Sequence, residues 1–121
     1  MFQLEEKVYP CSTSLAMRYI GGKWKSVILI HLVNGEMRYN ELRKVIEVMT
    51  ERALSLQLKQ LEDDGLIIRK VHTDKAPLKV TYELTAFGKT LIPLLKSIAE
   101  WGRYAANHRQ EINIVEDKCD W

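Results

Sequence analysis

The sequence predicts one mainly α-helical domain that carries a small two-stranded β-ribbon. Three features favour this fold class: apolar residues at helical spacing over most of the chain, a Leu-rich segment between Thr50 and Gly65, and β-rich runs at 66–71 and 80–84. With 121 residues, 46% of them hydrophobic and 28% charged, the chain has the size and composition of a single globular domain. This composition excludes a collagen-like repeat, a disordered chain and a disulfide-stapled miniprotein.

Charge is distributed unevenly along the chain. Residues 18–89 hold 13 Lys/Arg against 9 Asp/Glu, whereas the two ends are close to neutral and the net charge is only +2. This distribution suits a nucleic-acid-binding body, although a scattered excess of this size is also common on solvated surfaces. The longest apolar run, Val27 to Ile30, is far below the ~18–20 residues of a membrane span. Acidic residues also stand where a signal peptide has basic ones, so we expect a cytoplasmic protein without membrane contact.

The first half of the chain predicts three helices. Ser12 and Thr13 are suitable N-caps for the first helix, which ends at a double glycine. A second helix is predicted over 23–33, and Asn40 is expected to cap a third over 41–46, after a very short strand at Met37-Arg38. The apolar positions that assign the second helix to the core are Trp24, Val27, Ile28, His31 and Leu32.

A long helix is predicted between Thr50, as its N-cap, and Gly65, as its C-terminal stop. Leu54, Leu58 and Leu61 recur at spacings of four and three, so they share one inward face. The residues that project to the opposite side are Arg52, Ser55, Leu56, Lys59 and Asp63. Most of these side chains donate or accept hydrogen bonds, and a leucine can contact a thymine methyl group.

The C-terminal part predicts a ribbon and one final helix. The ribbon loop carries Lys75 and Lys79, and Thr85 caps a helix that is expected to run to about Ala105 with a bend at Pro93. One apolar stripe of this helix contains Phe87, Leu91, Leu94, Ile98, Trp101 and Ala105, and a second contains Ile92, Leu95, Ala99 and Gly102. A surface helix of a small domain needs one such face, so the second predicts a partner, most simply another copy of the chain.

This order of elements is that of a winged helix-turn-helix: mainly α with a small β-wing, here a homodimer through its terminal helices. The N-terminal end of the long helix is expected in the major groove, where Arg52 reaches guanine and its neighbours reach adenine edges or phosphates. The loop lysines would lie along the minor groove or its backbone, and residues before the long helix would contact phosphates. The predicted DNA contacts are Arg38, Asn40, Arg43, Thr50, Arg52, Ser55, Leu56, Gln57, Lys59, Lys75 and Lys79.

Several motifs in order resemble the HxlR-type, MarR-like family of winged helix-turn-helix transcription regulators. They are Gly21-Gly22-Lys23-Trp24-Lys25, Arg38-Tyr39-Asn40-Glu41-Leu42, Leu58-Lys59-Gln60-Leu61-Glu62-Asp63-Asp64-Gly65-Leu66-Ile67 and Tyr82-Glu83-Leu84-Thr85-Ala86-Phe87-Gly88. The resemblance covers roughly residues 11–102. It implies a bacterial cytoplasmic homodimer, joined through its first and last helices, that binds double-stranded operator DNA and represses or activates nearby genes.

Cys11 and Cys119 are the two cysteines of the chain. Cys11 matches the N-terminal cysteine through which some HxlR-type regulators sense oxidants or electrophiles. It also precedes a helix start, where the helix dipole and free N–H groups are expected to favour the thiolate. The alternative is an inert thiol buried at the dimer interface, and Cys119 is a weaker candidate for the resolving thiol of a disulfide between subunits. Neither cysteine has metal-ligand spacing to a histidine, so no metal or other cofactor is expected.

The chain divides into an N-terminal arm (1–10), the winged helix-turn-helix domain with its dimerisation helices (11–105) and a C-terminal tail (106–121), and both ends are expected to fray. Catalysis finds no support, because nucleophile-elbow, phosphate-loop and metalloprotease motifs are missing. Two alternatives remain: a winged helix used for protein–protein assembly, and a regulator that binds a small ligand near Tyr19, Trp24 and Trp101. An assembly module would present a neutral or apolar face where the long helix has Arg52, Ser55 and Lys59.

Overall fold

A computed structural model of the chain describes residues 1–72 and 76–118, and Lys75 and Cys119 lie outside this range. The helices are α1 (Ser12–Ile20), α2 (Lys25–His31), α3 (Tyr39–Val45), α4 (Glu51–Asp63), α5 (Ala86–Lys89) and α6 (Ile92–His108). The strands are β1 (Phe2–Leu4), β2 (Lys7–Tyr9), β3 (Met37–Arg38), β4 (Ile67–Val71) and β5 (Val80–Leu84). The mainly α-helical fold with a small β-wing is confirmed. None of the helices in this part of the chain is long and apolar enough to cross a membrane.

The N-terminal arm is folded, which corrects the expectation of a frayed end. Strands β1 and β2 form an antiparallel hairpin in which Phe2 lies opposite Tyr9. The guanidinium of Arg18 donates hydrogen bonds of 3.1 Å to the Tyr9 hydroxyl and to the Asp64 carboxylate. The bond to Tyr9, followed by that to Asp64, raises the pKa of Arg18 above its usual value. The arm is therefore tied to the C-terminal end of α4.

Helix α3 begins earlier than its sequence suggests. The backbone N–H of Arg38 donates to the Glu41 carboxylate at 2.8 Å, so the helix begins at Tyr39 and Asn40 lies inside it rather than at its cap. At α1 the N-cap residue is Cys11, one position before the predicted Ser12, and no side chain caps that helix end. Both shifts are of one or two residues, within the range in which helix ends depend on local hydrogen bonds.

Helix α4 agrees with its sequence. The Thr50 hydroxyl accepts a 3.1 Å hydrogen bond from the Ala53 N–H, and Gly65 takes a left-handed φ of +76° just after the helix. Its inward residues Leu54, Leu58 and Leu61 are buried in the core. The other members of that core include Ile28, Leu29, Leu32, Leu42, Met49, Leu66, Ile67 and Leu95.

The wing is a three-stranded antiparallel sheet in the order β3-β5-β4. Strand β5 lies in the centre, and the predicted short strand β3 places Met37 opposite Tyr82. Strand β4 pairs with β5 along its whole length, from Ile67 opposite Leu84 to Val71 opposite Val80. The two long strands thus form one antiparallel ribbon.

The expected single C-terminal helix with a bend is wrong. Helix α5 ends at Lys89, and α6 begins at Ile92 with Pro93 in its first turn. Proline is tolerated there because its missing N–H would have no partner inside the helix. Helix α6 also continues to His108, three residues beyond the predicted end of the domain.

A compact junction joins α5 to the end of α4. The Thr85 hydroxyl donates a 2.6 Å hydrogen bond to the Gly65 carbonyl, and the Thr85 N–H donates to the Leu66 carbonyl at 3.0 Å. The same hydroxyl accepts from the Gly88 N–H at 2.9 Å. A Cβ atom on Gly88 would lie 2.1 Å from the Leu66 oxygen, so only glycine allows this approach.

The described part of the tail folds back over the domain. Asp117 pairs with Arg103 at 2.8 Å, and Lys118 pairs with Glu47 at 3.4 Å. Burial lowers the pKa of His31 below its usual value, and the charge of Lys118 lowers it further. The tail therefore lies close to α2 and to the end of α3.

Candidate nucleic-acid interface

The outer face of α4 is exposed, as its spacing predicts. Arg52, Ser55, Leu56 and Lys59 are all solvent-accessible, and the Leu56 side chain is 54% exposed. Arg52 lies in the first turn and makes no hydrogen bond or ion pair with any other described residue. Thr50 is exposed at the same end, while Gln57 is half-buried. The helix therefore presents one unpaired guanidinium beside hydroxyl groups and an apolar side chain.

Tyr39 is a member of this face that sequence reasoning missed. Its hydroxyl donates to the Glu51 carbonyl at 3.3 Å and lies 3.3 Å from the Ser55 hydroxyl. The ring joins the start of α3 to the first turn of α4 and orients the Ser55 hydroxyl. The Arg38-Tyr39-Asn40 motif was the available signal, because it places a tyrosine among candidate phosphate contacts.

The basic residues near this face differ in their hydrogen-bond and ion-pair partners. The Arg43 guanidinium donates to the Met49 carbonyl, so this half-buried side chain braces the turn between α3 and α4. The Lys59 ammonium lies 3.2 Å from Asp63 and 4.0 Å from Glu62, one turn further along its own helix. By contrast, the Arg38 and Asn40 side chains are exposed at the start of α3.

At the loop end of the β4–β5 ribbon, three polar side chains from three segments of the chain form a hydrogen-bonded series. His72 Nε2 lies 2.6 Å from the Thr81 hydroxyl, and this buried hydroxyl donates to the Glu36 carboxylate at 3.1 Å. Because the hydroxyl has one proton and gives it to Glu36, His72 Nε2 must be the donor to Thr81. The backbone N–H of His72 also donates to the Lys79 carbonyl at 2.9 Å, which closes the described part of the loop.

The exposed surface of the wing carries basic side chains. Lys79 is exposed on the loop, and Arg69, which sequence reasoning did not select, is exposed on β4. Lys70 and Glu83 form a cross-strand ion pair at 2.5 Å. Their hydrogen bond raises the pKa of Lys70 and lowers that of Glu83, so both remain charged at neutral pH.

Cys11 is exposed at the N-terminal end of α1. Its own chain therefore leaves the sulfur open, and the alternative of a thiol covered at a dimer interface stays a prediction. Within the described residues no group of three or more His, Cys, Asp or Glu side chains is arranged to hold a metal ion.

The three aromatic residues considered for a ligand site have separate surroundings. Tyr19 packs edge-on against Phe87, with ring centroids 5.6 Å apart. Trp24 is half-buried below the Lys23 ammonium, which lies 4.9 Å from the ring. Trp101 is 68% exposed.

The first apolar stripe of the C-terminal helices lies on the surface. Phe87, Leu94 and Ile98 are between 41% and 52% exposed, and Trp101 is more exposed still. The second stripe is partly inward: Leu95 is fully buried and Ile92 packs against the core, whereas Gly102 is exposed. An exposed apolar stripe of this length marks an interaction surface.

Comparison with known proteins places these features in a family context. A sequence profile described as HxlR-like helix-turn-helix matches residues 19–110. YybR, an uncharacterized HTH-type transcriptional regulator of Bacillus subtilis (strain 168), is 40% identical over 102 residues, or 81% of each chain. YdeP, described in the same words and from the same organism, is 46% identical over 92 residues, which cover 76% of this chain and 71% of YdeP. Among solved structures, the redox regulator HypR in its oxidized form has a TM-score of 0.74 at 41% identity, over 78% of this chain and 96% of that one.

Proposed function

Since the chain belongs to the HxlR-like helix-turn-helix family and is a DNA-binding transcriptional regulator rather than an enzyme, we propose that it acts as a homodimeric repressor. Each dimer binds a pseudo-palindromic operator and releases it when Cys11 reacts with an oxidant or an electrophile. The observation that carries the DNA-binding part is the exposed outer face of α4. That face is charged and polar, which disfavours the alternative of a protein-assembly module.

The N-terminal end of α4 enters the major groove in this proposal. The unpaired Arg52 guanidinium reaches O6 and N7 of a guanine, and Leu56 contacts a thymine methyl group. Ser55, Gln57 and Thr50 reach adenine edges or phosphates. Arg43 acts indirectly, because its bond to Met49 holds the turn from which α4 projects.

Phosphate contacts surround the helix. Arg38 and Asn40 are exposed at the start of α3 and contact one side of the backbone. Lys79 and Lys75 on the wing loop follow the adjacent minor groove, and Lys59 adds a contact weakened by its carboxylate partners. These contacts supply salt-dependent affinity, whereas the α4 face supplies sequence preference.

The exposed apolar stripe supports the dimer. A two-fold pair joined through α1 and α6 presents two copies of α4 about one DNA turn apart, or ~34 Å. The operator therefore contains two inverted half-sites at that spacing. Domain boundaries follow from the same arrangement, with 11–108 as the DNA-binding and dimerisation unit.

The thiol part of the proposal rests on the position of Cys11. Its sulfur is exposed and lies where α1, a proposed dimer helix, begins. HypR, the structural relative solved in an oxidized form, is a redox regulator. A two-electron oxidant such as diamide, which takes up the two thiol protons, joins the Cys11 sulfur to a second thiol such as Cys119, whereas an electrophile forms a carbon–sulfur bond with the Cys11 thiolate. Either product changes the dimer surface and with it the half-site spacing.

Selection of bound fragments from genomic DNA, with and without the thiol oxidant diamide, tests the proposal. We expect inverted half-sites to be enriched and diamide to abolish the enrichment for the wild type but not for Cys11→Ser. Enrichment of no sequence would exclude the operator, and equal loss in both proteins would exclude Cys11 as the sensor. Non-reducing gels and intact mass identify the product at Cys11 and show whether Cys119 takes part.

A further inference from the structure

An apolar cavity of about 230 Å³ opens between α1 and α5. Tyr19 and Phe87 form one wall through their edge-to-face contact, Leu15 and Ala16 line the side of α1, and Leu91 lies where α6 approaches. A cavity of about 150 Å³ is large enough to bind benzene, so this one accepts an aromatic side chain. The described chain leaves it open to the surface.

Trp101 is a large aromatic side chain that makes no ring contact with another described residue. It is 68% exposed, and its neighbours on the surface stripe, Leu94 and Ile98, are 42% and 41% exposed. Tryptophan with an exposed ring is a typical anchor of protein interfaces, where it fills a preformed pocket.

The stripe of α6 is symmetric about position 96. Leu94 and Ile98 are two residues from this point, and Leu91 and Trp101 are five residues from it. In an antiparallel pair of α6 helices that cross there, Leu94 meets Ile98 of the second copy and Trp101 meets Leu91. At 1.5 Å per residue the Trp101 ring lies ~7.5 Å along the helix from the crossing, beside the cavity that Leu91 borders. Each protomer thus offers one knob and one hole, as a two-fold interface requires.

We propose that the Trp101 indole of each protomer inserts into the α1–α5 cavity of the other, with the two α6 helices crossing at position 96. This inference rests on the proposed homodimer and assigns its register and its anchor. It also places the anchor close to Cys11, because Ser12, the next residue along the chain, borders the same cavity.

A double-mutant cycle tests the insertion. Trp101→Ala removes the knob, and Ala16→Phe fills the hole, so each should weaken the dimer at least roughly 100-fold, since two anchors are lost at once. In the Trp101→Ala background, Ala16→Phe has nothing to obstruct and should change the dissociation constant less than about 3-fold. The matched control is Tyr104→Ala, which removes a similarly exposed aromatic ring from α6 but one that stacks on His108, and it should leave the dimer intact.

Analytical ultracentrifugation over a concentration series measures these constants, and circular dichroism verifies the fold of each variant. Equal weakening by Ala16→Phe in both backgrounds overturns the insertion while leaving the homodimer in place. A wild type that stays monomeric at every concentration overturns the homodimer itself.

Fluorescence supplies a readout without any cavity variant. With Trp24→Phe and Trp121→Phe, Trp101 is the remaining indole, and its emission should shift to the blue and resist acrylamide quenching as the dimer forms. Dimer formation with unchanged emission overturns the insertion.

Discussion

Replacement of Arg52 by alanine is the most direct test of how α4 reads DNA. Arg52 is exposed in the first turn of the helix and has no partner among the described residues, so Arg52→Ala should change the free energy of unfolding by less than about 0.5 kcal/mol. A bidentate contact with guanine contributes about 1–3 kcal/mol of discrimination. A dimer loses two such contacts, so we expect ~2–6 kcal/mol, or at least roughly 30-fold, in operator affinity.

Fluorescence anisotropy titrations on the selected operator, and on operators changed at single base pairs, measure this loss. Arg52→Ala should bind all four base pairs alike at one position of each half-site. Lys79→Ala should instead weaken every sequence alike and reduce the salt slope. Lys59→Ala should cost less than Arg52→Ala, because its ammonium already lies 3.2 Å from Asp63.

Lys7→Ala is the control, because Lys7 is a basic residue far from the end of α4 that is proposed to contact DNA. Lys7 borders the same cleft as Asp64, at the opposite end of α4 from Arg52. An equal, small loss for Arg52→Ala and Lys7→Ala, with base preference unchanged, would refute the placement of α4 in the groove.

Three further predictions concern stability. Arg43→Ala should lower the free energy of unfolding in urea by about 1.5–3 kcal/mol, since it removes a charged donor from the Met49 carbonyl, whereas the exposed Lys44→Ala should have little effect. Thr50→Ala should cost about 1 kcal/mol through loss of the α4 cap, and Thr50→Ser should restore most of it. His31 has a lowered pKa in the folded state, so the unfolded chain binds its proton more readily, and stability should fall as pH drops below about 6.5. The melting temperature of His31→Gln should depend less on pH between about 7.5 and 5.5, and an unchanged profile would contradict this assignment.

Local sequence signals were sufficient to predict α4. Thr50, Gly65 and the Leu54, Leu58 and Leu61 spacing each act within a few residues, and all of them have the predicted roles. The wing strands were equally predictable from the sequence, because two β-rich runs separated by a polar loop pair with each other.

Features that depend on distant partners were not predictable. The N-terminal hairpin has strands of only three residues, and Arg18 connects it to α4 across a large separation in sequence. The role of Arg43 depends on where the Met49 carbonyl points, which periodicity does not indicate. The close approach of Gly88 to the Leu66 carbonyl likewise depends on a residue distant in sequence.

The Thr85 junction gives the proposed dimer a mechanical property. Hydrogen bonds from Thr85 to Gly65 and Leu66 fix the start of α5, which leads into α6 through residues 90 and 91, to the C-terminal end of α4. In the proposed dimer, we therefore expect a rotation of one α6 against its counterpart to change the orientation of α4. A chemical event at the subunit boundary can then alter gene control while every base-contacting side chain keeps its own conformation.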